Sequence, residues 1–468
     1  MYTEKDIKDI VDRQRAFFRS GATLPLDFRI KQLKALRSAV TDNEDAIKKA
    51  LREDLGRDGF EAYLCDIGPV IMEINETLRG LRSWARPELH LAGPACFPAL
   101  FSRVYKMPYG VTLIISPFNF PFMLSFGVLL AAIAAGNTSV IKASSKSVHS
   151  TALLKKIVSE TFPEEYVTVI DGGHDTADMC LDQRFDKIFY TGSPQVAKHV
   201  MAKAAVNLTP VALELGGENG NWCIVRKDAD LKDAAGKIAF FKLLNRGQIC
   251  IDINQVAVAR EVAGEFLDEL KEAFRSRVGE NALENDEYPH LIDENAYDKC
   301  AKTAEAYRGR IVYGGTGDRG ALKFQPTVIY PVSPDEEIVN RELFSPLLPV
   351  VPFDDDSADE LLDIIEQREH PLAFYVFTRD MMWARSAMRR MQYGGGCINE
   401  VCVHMMAAGV PFGGTGHSGM GAYHGRRGFD EFSHPQTVLT GSTHFNLPLR
   451  DHPYTGKLKT FLLRLFMR

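Results

Sequence analysis

Apolar positions recur at intervals of three and four through residues 28–85, in FRIKQLKALRSAV and again in VIMEINETLRGLRSWA, and predict helix throughout. Pro87 and Pro94 end that pattern. From about 103 the period changes. RVYKMPYGVTLIIS is rich in β-branched and aromatic residues and ends in a short all-apolar run, VTLII, which reads as a strand buried on both faces. The stretch 118–136, FNFPFMLSFGVLLAAIAAG, is apolar enough to be mistaken for a membrane span. Asn119, Pro121 and Ser125 interrupt it and Gly136-Asn137 close it as a C-cap, so it is expected as a buried helix of a soluble α/β protein.

A second strand, TSVIKA at 138–143, completes a βαβ unit. The unit repeats: helix 149–160, strand 166–170, helix at about 174–182, strand KIFYT at 187–191, helix 194–205. Such alternation predicts a doubly wound parallel sheet with a crevice at its carboxyl edge. From VALEL at 211 a second alternating series runs through a helix near 231–243 and the strand QVAVAR to about 420. The expected fold class is α/β, with two doubly wound domains in series.

Composition narrows the function classes. The chain has 468 residues, 45% of them hydrophobic, enough for two or three domains. Lys and Arg number 55 against 61 Asp and Glu, a net charge of -6, so no basic field asks for nucleic acid. The eight cysteines, at 65, 96, 180, 223, 250, 300, 397 and 402, form no CxxC pair, and no His cluster has metal-ligand spacing. No metal is expected, and the thiols suit a reducing compartment. The start, MYTEKDIKDIVDRQRAFF, has no apolar core like that of a secretory signal, so a cytoplasmic location is expected.

Two glycine-bearing segments invite a dinucleotide reading. SGMGAYHG at 418–425 follows the loop PFGGTGHSG instead of a buried strand, so it fails the context of a dinucleotide fingerprint. Thr191-Gly192-Ser193 lies between a strand and a helix, where helix amides can face a phosphate, although the same residues also make a good turn and N-cap. Four further strings stand out: PFNFP at 117–121, LELGGEN at 213–219, NRGQIC at 245–250 and ELFSPLLPV at 342–350. Taken singly, Cys250 reads equally as a buried thiol, Glu214 as a surface carboxylate and Asn119 as a turn residue.

Together with AAGNTSVIKASS, FYTGS and PFGGTGHSGMGAYHG, these strings resemble the aldehyde dehydrogenase superfamily over nearly the whole chain. LDFRIKQLKAL and PFGGTGHSGMGAYHGRRGFDEFSH are similar to its class 3 branch. The resemblance implies oxidation of an aldehyde with hydride transfer to NAD or NADP. Cys250 matches the family nucleophile, which makes the aldehyde carbon tetrahedral and then carries a thioester. Asn119 matches the donor to the oxyanion, with the backbone N–H of Cys250 as second donor. Glu214 matches the general base that activates water.

For the cofactor, the resemblance implies Ser116, Pro117 and Phe118 along the crevice, Lys142 at the adenosine ribose, and Gly192 and Ser193 at the pyrophosphate. Leu215 and Gly216 would lie beside the nicotinamide, Glu342 would hold its ribose and Phe344 would pack on its ring. Four positions depart from the family pattern: Phe118 stands for Trp, Ala197 and Ser345 for Gly, and Ser145 for a carboxylate. With Ser145 the repulsion of a 2'-phosphate is absent, and Lys142 and Lys146 add positive charge, so NADP is expected to serve at least as well as NAD. The other reading of Ser145 is a cap for a helix beginning near 147. Phe120, Phe240 and His404 align with the substrate pocket, and two aromatic rings suit an aromatic or medium-chain aliphatic aldehyde, although core packing explains the same Phe residues.

The implied organisation is a dinucleotide-binding domain from 1–85 and 108–213, a catalytic domain at 214–422, and oligomerisation segments at 86–107 and 423–450. FSRVYKM and TVLTG would be strands that extend a sheet across a homodimer. The basic amphipathic tail, KLKTFLLRLFMR within 451–468, is expected to dock on the protein in preference to a membrane surface. Three rivals remain: a coenzyme A-acylating dehydrogenase, which often lacks the base at Glu214, a cysteine hydrolase, for which no histidine partner motif is present, and a non-enzymatic scaffold.

Overall fold

The computed structural model describes residues 2–445, 452–453 and 455–467, so 446–451, 454 and 468, parts of the expected oligomerisation segment and tail, lie outside the described residues. Two largely parallel sheets organise the chain. In the first, the strands run in spatial order Gly419–Met420, Val211–Leu215, Lys187–Gly192, Val111–Ile115, Thr138–Lys142 and Val167–Ile170, all parallel except the short first one. The chain order reverses between Val111–Ile115 and Lys187–Gly192, and at such a switch point doubly wound sheets place their binding crevice beyond the carboxyl strand ends. The second sheet holds Ile311–Tyr313, Thr327–Ile329, Leu347–Phe353, Ile253–Ala259, Asn221–Val225, Ala373–Phe377 and Gly395–Ile398, parallel apart from its first strand.

Both sheets form because their strands are apolar on both faces. Val111–Ile115, Thr138–Lys142 and Asn221–Val225 are buried almost throughout and sit between helical layers. Helix Met123–Ala135 is wholly buried and ends at Gly136 in the left-handed region (φ 99°), as its sequence predicts. No helix among the described residues is long and apolar enough to cross a membrane. A third, antiparallel sheet orders Glu88–Leu91, Phe101–Pro108 and Ser433–Leu439, so the two segments expected to extend a sheet pair with each other within the chain.

Two expectations are corrected. Val211–Leu215 does not open the second series; it pairs with Lys187–Gly192 in the first sheet. The helical region 28–85 is not continuous. Leu26–Asp42 and Glu44–Leu55 are followed by Gly56 at φ 71° and by Asp58, whose carboxylate caps the next turn through the Glu61 amide, while Arg57 turns inward with no exposure. Short turns over Gly59–Ala62 and Tyr63–Ile67 lead into Gly68–Trp84. The tail forms helix Lys457–Phe466 beside the turn Pro94–Cys96, with Leu458, Phe461, Leu463 and Leu465 exposed and Leu462 and Phe466 half-buried.

Candidate active site

Cys250 sits in a loop whose shape is over-determined. Asn245 (φ 43°), Arg246 (φ 56°) and Gly247 (φ 70°) form a left-handed turn just before it. A Cβ on Gly247 would lie 2.4 Å from the Ser345 carbonyl oxygen. Gln248 donates to the carbonyls of Asn245 (3.0 Å) and His290 (3.2 Å) and accepts from the Ile292 amide (3.0 Å). Asn221 donates to the carbonyls of Cys250 (2.8 Å) and Asp252 (2.9 Å), and Lys242 pairs with Asp252 at 2.6 Å in the interior. These bonds immobilise the backbone that carries the thiol.

Burial, and then the negative charges of Glu342 and Glu214, push the Cys250 thiol up to about 12. Asn119 is buried, and its side-chain amide donates to the Gln248 carbonyl at 3.1 Å, two residues from Cys250. Glu214 lies in strand Val211–Leu215 opposite Gly419, 4% exposed, and its Oε2 has no hydrogen-bond partner. Burial raises this carboxyl well above the usual range, and Glu431 adds to the effect. The hydroxyl of Tyr423 is also buried and unpartnered, and Glu214 is among the charges that raise its pKa.

The crevice at the strand ends gathers the remaining residues. Ser116 follows strand Val111–Ile115 and accepts a hydrogen bond from Ser125 at 2.8 Å; Pro117 and Phe118 come next, half-buried. The Phe118 and Phe344 rings meet edge to face with centroids 6.0 Å apart, and Phe344 is held in the left-handed region at φ 49°. A Cβ on Gly216 would fall 1.9 Å from Glu342 Oε1, so the glycine is what lets that carboxylate approach the backbone; Leu215 is buried beside it. Burial and then Asp252 push Glu342 up to about 8. Thr191 Oγ1 is buried with no partner, and Gly192 leads into helix Pro194–Ala205, whose first turn offers backbone amides. The hydroxyl of Ser193 is engaged as the N-cap, accepting from the Val196 amide at 3.4 Å. An orphaned hydroxyl, a helix N-terminus and two facing rings at the switch point fit a dinucleotide.

Lys142, Ser145 and Lys146, expected at the adenosine edge, differ in what engages them. Lys142 donates to the carbonyls of Ala143 and Gly172, both at 2.7 Å, and burial lowers its pKa. Ser145 is exposed and is not the helix cap, because Val148–Thr161 starts after Ser147. Lys146 is not free charge for a phosphate: it pairs with Asp293 at 2.7 Å and lies over the Phe118 ring.

An apolar cavity of about 280 Å³ ends at the loop that carries Cys250, where Ile249 and Ile251, its two sequence neighbours, line it. Phe120 and Phe240 line it, and Leu64, Met123, Met405 and Met406 are among its other walls. His404 does not line it. Its ring stacks on Phe412 and approaches the Cys397 sulfur, and burial pushes its pKa down to about 4, whereas its neighbours Val403 and Met405 face the cavity.

Sequence reasoning also missed a buried ionic cluster. Arg57 pairs with Asp66 at 2.5 Å and approaches Glu61 at 3.5 Å, all but out of solvent. Asp66, a lone charge within the apolar run YLCDIGPVI, is the signal that could have found it.

Comparison with known proteins agrees with this picture. The aldehyde dehydrogenase family model matches residues 1–438. The chain is 35% identical to the 4,4'-diaponeurosporen-aldehyde dehydrogenase of Staphylococcus aureus, over 95% of this chain and 96% of that one. It is 36% identical to the dimeric NADP-preferring aldehyde dehydrogenase of Mus musculus, over 93% and 95%. The solved structure of the substrate-bound state of Staphylococcus aureus AldH superposes with a TM-score of 0.95 at 34% identity, covering 100% of both chains. The chain belongs to the aldehyde dehydrogenase family and is an NAD(P)-dependent oxidoreductase of aldehydes.

Proposed function

We propose that the enzyme oxidises apolar aldehydes, aromatic or medium-chain aliphatic, through a covalent thioester on Cys250. The observation that carries this reading is the apolar cavity ending on Ile249 and Ile251, the two sequence neighbours of Cys250. The Cys250 thiolate adds to the aldehyde carbon, and the oxygen gains negative charge. Asn119 and the backbone N–H of Cys250 donate to that oxygen and hold the tetrahedral adduct. A bound oxidised dinucleotide would supply the acceptor for the hydride that leaves this carbon. Collapse gives the Cys250 thioester, and Glu214 takes a proton from the water that hydrolyses it. The unpartnered Glu214 Oε2 favours water over coenzyme A as the acyl acceptor.

The dinucleotide would be held by Ser116, Pro117 and Phe118 on one wall and by Gly192 and Ser193 on the other. Lys142 would serve the adenosine ribose, Leu215 and Gly216 the nicotinamide side, Glu342 its ribose, and Phe344 its ring. The exposed Ser145, which brings no carboxylate to that edge, supports use of NADP. The first sheet would form the dinucleotide-binding domain and the second the catalytic domain. The three-stranded sheet would join two copies, in a cytoplasmic homodimer. A panel of aldehydes, followed at 340 nm with either dinucleotide and with or without coenzyme A, tests the whole reading. Benzaldehyde and hexanal should turn over better than charged aldehydes, without coenzyme A. Preference for a charged aldehyde, or dependence on coenzyme A, would overturn it.

A further inference from the structure

The segment that carries Asn119 and the loop that carries Cys250 are joined through one buried guanidinium. Arg57 has no solvent exposure. One of its nitrogens pairs with Asp66, the second donates to the carbonyl of Asn119, and Nε donates to the side-chain oxygen of Asn245 at 3.2 Å. Its carbon lies 4.6 Å from the centre of the Phe120 ring. Asp66 in turn accepts from the backbone amides of Phe122 (3.0 Å) and Met123 (2.9 Å), so residues 119–123 are tied to the same ion pair. Asn245 completes the bridge from the loop side: its amide nitrogen donates to the carbonyls of Asn119 (3.2 Å) and Gln248 (3.0 Å), and its backbone N–H donates to Glu61 at 2.6 Å.

We infer that Arg57 is a positioning residue for the reaction, holding the side-chain amide of Asn119 in fixed relation to Cys250 by bridging their two segments. The inference rests on the reading of Asn119 as an oxyanion donor. A planar fork reaches Asp66, Asn119 and Asn245 at once, which the single ammonium of a lysine does not do in the same directions. Displacement of a catalytic group by about 1 Å costs on the order of a hundredfold in rate, so loosening this bridge shows in chemistry before it shows in binding.

The test uses Arg57→Lys, which keeps a positive charge facing Asp66 and Glu61 and gives up the fork. It also uses Asn245→Gly, which suits φ 43° and removes the amide links without changing buried charge. Each is made in the full chain, alone and with Asn119→Ala. Single-turnover NAD(P)H formation, dinucleotide KM and the thermal midpoint are measured. Alone, each variant should slow single turnover by roughly tenfold or more with dinucleotide KM within about twofold of the parent. With Asn119→Ala, each should add less than about twofold, because the donor it aims is gone. Losses that multiply with Asn119→Ala, or parental rates in both variants, overturn the inference. Should Arg57→Lys fail to fold, Asn245→Gly decides alone. Parental rates in Asn119→Ala would instead overturn the oxyanion reading beneath it.

Discussion

The Cys250 thiol, pushed up to about 12, predicts slow alkylation with a particular pH profile. At pH 7 a thiol of pKa about 12 is ionised to roughly one part in 10⁵, against a few per cent for a free cysteine near 8.5, a deficit of about 3.5 decades. Thiolate nucleophilicity rises with pKa at about 0.4–0.5 decade per unit, which restores about 1.6 decades. The net expectation is alkylation of Cys250 about a hundredfold slower than that of a free thiol, before any steric obstruction. Because obstruction also slows the reaction, the slope is the better diagnostic: the rate should climb about tenfold per pH unit from pH 6.5 to 9.5 without a plateau. Iodoacetamide labelling with site-resolved mass spectrometry measures it, and distinguishes Cys250 from Cys65 and Cys402, which line the neighbouring cavity. A plateau below pH 9 would refute the reasoning, since it would mean that the resting thiol already titrates in the ordinary range.

Cys250→Ala should abolish oxidation and leave dinucleotide affinity within about twofold, checked by 340 nm absorbance and fluorescence titration. Glu214→Gln should give one burst of NAD(P)H per site followed by slow turnover; no burst would place Glu214 at the thiol instead. Because burial raises the Glu214 carboxyl, base-limited deacylation in the parent should increase with pH through an inflection well above 4.5, and that inflection should vanish in Glu214→Gln. Ser145→Glu should shift kcat/KM from NADP towards NAD. Two charges about 4 Å apart repel by ~1 kcal/mol in water and ~4 kcal/mol at an effective dielectric near 20. Ser145 is exposed, so the lower end applies, and roughly a fivefold to tenfold shift is expected from kinetics with both dinucleotides.

The parallel strands were legible because burial on both faces leaves short runs such as VTLII with no polar alternation. Which sheet a strand joins was not, since VALEL reads the same beside either neighbour and only pairing assigns it. Periodicity likewise ran helix through 56–58. The break there depends on Gly56 adopting φ 71° and on Arg57 finding Asp66, and neither choice leaves a mark on a three-four pattern. The alignment of His404 missed by a single position. In the tight turn Val403–Met406, the side chains of Val403, Met405 and Met406 line the cavity while His404 turns to Phe412. That Asn119, Glu214 and Cys250 act together is implied only by resemblance, because the three lie on different elements and no local spacing relates them.

Burial first, and then the charges around the thiol, raise its pKa, and those charges indicate what should release its proton. Glu342 and Glu214 are both among the causes that raise Cys250, so ionising either carboxylate makes the thiolate harder to form. Asp252, by contrast, has Lys242 as a partner and is raised only to about 6, while Glu342, for which burial and Asp252 both act upward, reaches about 8. A cation entering beside Glu342 would favour the ionised forms of all the acids near it, the thiol included. An oxidised nicotinamide ring is cationic and a reduced one is neutral, and the two dinucleotides are otherwise nearly the same size. Oxidised dinucleotide should therefore accelerate Cys250 alkylation at pH 7 relative to the reduced form, despite equal crowding of the crevice. Saturating each form in the iodoacetamide assay checks this, with Glu342→Gln as the contrast in which the acceleration should shrink. Equal rates with the two forms would mean that ring charge does not reach the thiol.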